Sequence, residues 1–174
     1  KEITEMKKIS LLLIALTTIA SAQLRLGLDV SREMTVSGMS GEKSEGMGFT
    51  LGYEKMLLSL VGVGAEYTAG GDEGVDMLYG YAVGKIPVGF PMVRGIIRAG
   101  YSLPMGDAAD VYEAGLAYGV GLRVKPPIFP IGIEALYTMH NLEMKSSGDD
   151  MEDMFMALFK IKWNVLNITA TYSF

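Results

Sequence analysis

The side chains suited to catalysis are few in this sequence and cluster around its single histidine, His140. A serine, a histidine and a carboxylate can form a nucleophilic site, and Ser146, Ser147, Glu143 and Asp149 are the nearby candidates. No serine lies within two residues of His140, and a lone histidine on a polar face is more typical of a hydrogen-bonded interior residue. We therefore predict no catalytic residues, and an enzyme acting on lipid or peptide is the least favoured alternative.

Metal and cofactor sites are likewise not indicated. The chain has no cysteine, which excludes thiolate chemistry. The acidic run at 149–153 could hold divalent cations that bridge lipopolysaccharide, but its spacing does not match a calcium loop and a solvated loop is the simpler interpretation. The Gly-x-Gly pairs at 62–64 and 119–121 precede no helix, so a nucleotide site fails its context test. The sequence predicts no metal and no cofactor.

Charged residues stand singly within apolar or glycine-rich segments. The net charge of −5 offers no basic footprint for nucleic acid. The isolated charges comprise five acids and four bases, and their near balance suggests mutual pairing in one enclosed space. These residues are Arg25, Asp29, Glu54, Glu66, Arg94, Arg98, Glu113, Arg123 and Glu134.

The elements that must position these charges are strands, because apolar residues recur at every second position from Gln23 onward. Eight such runs lie at 24–31, 47–54, 61–68, 77–84, 97–103, 112–124, 131–140 and 166–174. Long polar connections at 35–45, 69–75, 104–110 and 145–153 alternate with short ones at 57–60, 87–91 and 125–130. This alternation is typical of outer-membrane barrels. We predict an all-β fold: an eight-stranded antiparallel up-and-down transmembrane β-barrel.

Two features of the sequence predict which face of the strands points out of the barrel. The polar face is rich in glycine and sparse in charge, which suits the narrow interior of an eight-stranded barrel better than a solvated surface. The apolar face carries aromatic residues towards the strand ends, where a membrane barrel has its girdles. The predicted girdle residues are Tyr53, Tyr67, Tyr79, Tyr101, Tyr112, Trp163, Tyr172 and Phe174. The nine charges then form a network in the lumen, and a soluble barrel with an apolar lumen is the alternative.

The N-terminal segment has the pattern of a secretory signal peptide. Met6-Lys7-Lys8 precedes a short apolar core at 9–19 and an Ala20-Ser21-Ala22 site. We assign 1–22 to an N-terminal extension and a cleavable signal peptide, and 23–174 to the barrel domain.

The final run ends in Tyr172-Ser173-Phe174, after apolar residues at alternate positions. This resembles the C-terminal signal of outer-membrane proteins, and the mature chain resembles the small OmpA/OmpX-type barrels, the outer membrane protein beta-barrel domain group. The resemblance implies that the outer-membrane assembly machinery reads this strand. The residues carried over to this role are Leu166, Ile168, Ala170, Tyr172 and Phe174. It also implies residence in the bacterial outer membrane.

One departure from the pattern lies before that run. Phe159, Ile161, Trp163 and Val165 alternate in the opposite parity, so we predict a β-bulge near Asn164 in an extended last strand. Ten strands, with an additional strand around 154–164, are the alternative.

The function predicted from these patterns is structural or interactive: an integral outer-membrane barrel, with surface loops that adhere to a ligand or support envelope integrity. A narrow porin-like channel is the alternative. The expected partners are the lipid bilayer and lipopolysaccharide, the assembly machinery and a surface ligand held by the loops, but no nucleic acid. A closed barrel has no free strand edge, so we expect a monomer.

Overall fold

The computed structural model of the chain describes residues 22–36, 39–44, 46–71, 74–146 and 160–174. The predicted signal peptide up to Ser21, the acidic run at 149–153, and the candidates Ser147 and Asp149 lie outside the described residues. Strand pairing begins at Ala22, one residue before the predicted mature start.

Strands dominate the described residues, and the one helix, α1 (Ala108–Val111), has four residues. No helix in the described part of the chain is long and apolar enough to cross a membrane. The strands are β1 (Ala22–Val36), β2 (Met39–Lys43), β3 (Gly48–Met56), β4 (Val61–Ala69), β5 (Met77–Pro87), β6 (Val93–Pro104), β7 (Tyr112–Glu113), β8 (Gly115–Val124), β9 (Ile131–Met144) and β10 (Ile161–Ser173).

Eight of these strands form the barrel wall in the order β10-β1-β3-β4-β5-β6-β8-β9, and pairing of β9 with β10 closes the ring. β2 pairs with the far end of β1, and β7 pairs with the far end of β9. The prediction of an eight-stranded antiparallel up-and-down barrel is confirmed. We call the end with connections at 57–60, 88–92 and 125–130 the turn end, and the opposite end the loop end.

The last strand corrects the predicted bulge. β10 pairs with β9 without a register shift, and Asn164 faces Met139 in regular register. The shift lies in β1 instead, between Asp29 and Ser31. The apolar residues switch to the other set of alternate positions because of the side chains and not because of a bulge. The same face of β10 points inward throughout, but its side chains are apolar near the loop end and polar towards the turn end.

The wall is apolar outside and polar inside, as predicted. Leu116, Tyr118, Val120 and Leu122 of β8 are exposed, whereas the residues at the alternate positions between them point inward. Glycine makes room in the lumen, because a Cβ at Gly64 would lie 2.6 Å from the Tyr81 ring carbon Cζ. An apolar exterior around a charged interior is the arrangement of a membrane barrel rather than a soluble one.

Two predicted girdle residues face the wrong way. Tyr53, Tyr67, Tyr101, Tyr172 and Phe174 are exposed on the outside, as predicted for a girdle. Tyr79 and Trp163 are buried in the lumen, because β5 and the first part of β10 turn their bulkier apolar face inward. Tyr112 is half-buried on β7, outside the barrel wall.

Candidate functional site

The lumen is crossed by a layer of ion pairs built from seven inward side chains. Each residue comes from a different wall strand, so seven of the eight strands contribute. We call this layer the ion plug; it comprises Arg25 (β1), Glu54 (β3), Glu66 (β4), Lys85 (β5), Arg98 (β6), Arg123 (β8) and Glu134 (β9). Period-two alternation places each of them inward.

Glu134 is the centre of the ion plug because its carboxylate meets four cations. It accepts a hydrogen bond from Arg25 Nη1. Its Oε1 lies 3.1 Å from Lys85 Nζ and 3.6 Å from Arg123 Nε, and its Oε2 lies 3.4 Å from Arg98 Nη2. The Glu134 side chain is fully buried, so these cations are what keeps its charge stable there.

The two other carboxylates bridge the same cations. Glu54 pairs with Lys85, and its Oε2 lies 3.3 Å from Arg98 Nη2. Glu66 Oε2 lies 3.3 Å from Arg25 Nε and 3.1 Å from Arg98 Nη1. Every cation but Arg123 therefore contacts at least two acids, and the plug behaves as one connected network.

Neutral side chains complete the layer. Tyr81 donates a hydrogen bond to Glu54 Oε2 over 3.4 Å, and the Arg98 guanidinium carbon lies 4.2 Å from the centre of the Tyr81 ring. Lys85 Nζ donates to Gln23 Oε1 over 3.0 Å. These contacts occupy the space between the ion pairs.

Three of the nine predicted network residues lie apart from the ion plug. Asp29 is buried nearer the loop end and accepts a hydrogen bond from Asn167 Nδ2 over 2.7 Å. Arg94 is half-buried at the turn end and donates to the backbone oxygen of Ser59 over 3.4 Å. Glu113 is exposed on β7, because the regular wall strand starts only at Gly115.

Lys85 is the plug residue that sequence reasoning missed. It is fully buried and shares the inward face of β5 with Tyr79, Tyr81 and Val83. The sequence pattern predicts that this face of β5 points outward, because its side chains are larger and more apolar than those of the opposite face. Lys85 occupies the same alternate positions as these residues. That spacing is the signal that the face points inward, since an unpaired charge is costly on the lipid face of a barrel.

A second polar layer lies between the ion plug and the loop end, and it contains His140. A hydrogen bond of 2.6 Å joins His140 Nδ1 to Ser102 Oγ, and the Tyr79 ring packs edge-on at 5.4 Å. Of the sequence candidates that the structure describes, Glu143 and Ser146 are exposed, and the serine that contacts His140 comes from β6. An adjoining cavity of about 20 Å³, lined by Asp29, Glu66 and Asn167 among others, has room for about one water.

An apolar cluster closes the lumen at the loop end. We call it the apolar cap; it consists of Val75, Met77, Leu142, Trp163 and Val165, with Met34, Ala108 and Tyr112 packed against it. The inward face of the lumen thus changes from charged to apolar along the barrel axis. No group of three or more potential metal ligands exists among the described residues.

The residues of the predicted assembly signal share the outer face of β10. Leu166, Ile168, Ala170 and Tyr172 are exposed there, and the rings of Tyr172 and Phe174 meet edge-on at 5.2 Å. This places all five where a recognition factor or lipid can reach them.

No protein-family model and no curated protein sequence matches this chain. Its fold is similar to that of Neisserial surface protein A (NspA), with a TM-score of 0.59 and 12% identity over 88% of this chain and 97% of that chain. The de novo designed protein TMB2.3 is similar with a TM-score of 0.54 and 12% identity, over 88% and 94% of the two chains. Ail, the attachment invasion locus protein of Yersinia pestis, solved with the heparin analogue sucrose octasulfate, superposes more loosely, with a TM-score of 0.44 and 17% identity over 87% and 98% of the chains.

The likeness to NspA and TMB2.3 shows the fold of a small, eight-stranded β-barrel. The likeness is one of fold, because the identities are low. The apolar exterior and charged interior are this chain's own evidence for a membrane-embedded wall.

Proposed function

We propose that this protein is a closed, non-conducting barrel that anchors a surface-exposed end for interaction or envelope integrity in the bacterial outer membrane. The ion plug is the observation that carries the proposal. Its side chains come from seven wall strands and contact one another across the lumen. An eight-stranded barrel has an interior that side chains can fill, and here four cations and three carboxylates do so by pairing with one another.

The loop end supports an interaction role because strands continue past the level of the lumen. Pairing of β1 with β10 runs to Val36 and Ile161, and β2 and β7 add to the outer parts of β1 and β9. Its exposed residues include charges of both signs, among them Lys145, Lys160 and Glu143. Such a surface suits a polar partner reached by the loops.

The apolar cap holds part of the loop end in a fixed position relative to the wall. Tyr112 and Ala108 of the loop segment pack against the buried cluster that contains Trp163. Packing of loop residues onto a buried core fixes the loops relative to the wall and lowers the entropy lost on binding. Lipid and lipopolysaccharide around the wall, the assembly machinery at β10 and a monomeric state belong to this proposal.

The enzymatic alternative is disfavoured by access. The Ser102 side chain is completely buried, and the cavity beside His140 has room for about one water. A nucleophile must approach a substrate carbonyl to about 3 Å, and no lipid or peptide fits there. The Ser102–His140 pair is explained as a satisfied interior hydrogen bond.

Single-channel recording in planar bilayers tests the closed state against the porin-like alternative. We expect the refolded wild-type barrel to produce no stable conductance steps in concentrated KCl. A paired removal, Arg25→Ala with Glu134→Ala, empties part of the plug and serves as the positive control once boiled and unboiled gel mobilities show that it folds. Stable steps from the wild type would overturn the closed-barrel proposal.

The interaction role needs a separate test on cells. A triple variant, Lys145→Glu, Lys160→Glu and Lys162→Glu, reverses charge at the loop end only. We expect it to assemble normally and yet share the attachment or detergent-resistance defect of a deletion strain. If it rescues the deletion as well as the wild type does, the charged loop end is not the interacting surface.

A further inference from the structure

The three turns at the turn end carry large apolar side chains at their tips. Leu58 and Phe90 are each 70% exposed, and Ile128 is 92% exposed. Leu57, Leu60, Val88, Met92 and Phe129 are also exposed in these turns. Water-facing turns are usually polar, because a large apolar side chain left in water loses the free energy that burial would give it.

These tips continue the lipid-facing surface of the wall. Leu60 adjoins the exposed Val61 of β4, and Phe129 lies two residues before the exposed Ile131 of β9. On β8 the outward apolar residues run from Leu116 to Val124, which is eight residue steps (124 minus 116) or about 27 Å of strand. At a tilt of about 35–45° this is about 20 Å of height, against an apolar band about 25 Å tall. The tips supply the missing height.

A basic vestibule opens between two of these turns. It is a cavity of about 290 Å³ lined by Arg94, Arg123 and Lys125, together with Gln23, Pro91, Met92 and Pro127. Arg94 and Arg123 are direct cross-strand partners, and like charges in that position repel each other. Among the described residues, neither Arg94 nor Lys125 has a carboxylate within ion-pair distance.

Lys125, in the turn after β8, lies close to the other two cations of the vestibule. Burial and the neighbouring Arg123 and Arg94 guanidiniums lower the pKa of Lys125. An anion between these three side chains would relieve the repulsion, and guanidinium groups suit phosphate oxygens because they donate two parallel hydrogen bonds.

We propose that the turn end binds the phosphate of a membrane phospholipid in the basic vestibule, with the turn tips lying among the lipid acyl chains. The apolar tips and the cations adjoin one another, as the tail and head of a phospholipid do. Short turns face the periplasm, so the lipid belongs to the inner leaflet. Continuity of the tips with the lipid-facing wall favours lipid over a protein partner.

Native mass spectrometry of the barrel in detergent tests the headgroup site, with dioleoylphosphatidylglycerol as the probe. We expect the double variant Arg94→Gln, Lys125→Gln to hold the lipid at least about tenfold more weakly than the wild type, a change of about 1.4 kcal/mol. The matched control, Lys145→Gln with Lys160→Gln, removes the same charge at the loop end and should bind as the wild type does. Equal binding by all three would overturn the proposal.

A second arm separates lipid from free phosphate. We expect Leu58→Ser, Phe90→Ser and Ile128→Ser together to weaken lipid retention without altering the three cations. Retention unchanged by these substitutions, with inorganic phosphate displacing the probe at equal concentration, would mean a free-anion site and overturn the lipid assignment.

The depth of the tips can be measured independently of binding. Because the chain has no cysteine, single substitutions Ile128→Cys and Ser146→Cys accept an environment-sensitive fluorophore at each end. In vesicles containing spin-labelled lipid, the label at 128 should be quenched and the label at 146 should not. A label at 128 that stays unquenched would place the tips in water and overturn the proposal.

Discussion

The two ends of the lumen are sealed by opposite kinds of interaction. Near the turn end, Glu134 and its cations close the barrel with buried ion pairs, and the basic vestibule lies below them. At the loop end, Trp163, Leu142 and their neighbours close it with apolar packing. The difference shows that one narrow barrel can be filled by either means, by paired charges or by apolar packing.

β10 changes from apolar to neutral polar side chains on a single inward face, and it contributes no charge to the ion plug. Its inward residues from the loop end downward are Ile161, Trp163 and Val165, followed by Asn167, Thr169 and Thr171. The wall strand is regular throughout, so the change lies in side-chain chemistry alone. A loss of volume in the loop-end seal should therefore cost less stability than a loss of charge in the ionic seal.

Glu134→Ala should have the largest effect, because it leaves four buried cations with only two carboxylates. We expect a loss of about 3–5 kcal/mol in the free energy of unfolding, measured by urea titration of the refolded barrel with gel mobility as the readout. Glu113→Ala is the matched control, since Glu113 is exposed on β7. Identical midpoints for the two variants would contradict the central role of Glu134.

Leu142→Ala should have an intermediate effect on the loop-end seal. Leu142 is buried in the apolar cap, and its truncation should cost about 2–3 kcal/mol, in the lower part of the range for core leucines because a rim can partly collapse. Leu122→Ala removes the same atoms on the lipid face, where acyl chains replace the contacts, and should cost clearly less. A reversed order would mean that the cap is loosely packed.

Ser102→Ala should have the smallest effect, in the layer between the two seals. It removes the partner of His140 Nδ1, and leaving that atom unpaired should cost about 1 kcal/mol, the lower end of the usual range, because the adjoining cavity can admit a water. Ser31→Ala, on the exposed part of β1, should cost nothing measurable. A loss above that of Leu142→Ala would show that the middle layer, and not the two seals, holds the lumen together.

The strand pattern was predictable because period-two alternation and connection lengths are local properties of the sequence. The strand count and the inward position of most plug residues followed from them. Which face of β5 points inward could not be predicted from the alternation, because Leu78 and Ala82 on one face are about as apolar as Tyr79 and Val83 on the other. Only the parity of Lys85 distinguishes the two faces.

Contacts between distant strands were beyond such reasoning. Ser102 meets His140 because β6 and β9 flank β8 in the wall and their inward side chains meet in front of it, which no spacing in the sequence expresses. The extra residue at Val30 in β1 was missed for a similar reason, since a bulge is defined by the register against a partner strand. The switch of apolar residues from one set of alternate positions to the other near Asn164 predicted a bulge there. It arises instead because the inward side chains of β10 change from apolar to polar.

The seam between β1 and β10 has a consequence for the time course of assembly. Gln23 pairs with Ser173, 150 positions further along (173 minus 23), so the wall closes through contacts of very high sequence separation. Such contacts form slowly because the entropy of closing a long loop is lost before any pairing compensates for it. Until the seam forms, the ionic layer lacks Arg25 from one side and Glu134 from the other, and its charges stay solvated. Ring closure and dehydration of the lumen are therefore a single late, cooperative event, and a factor that holds β10 ready for β1 would accelerate both at once.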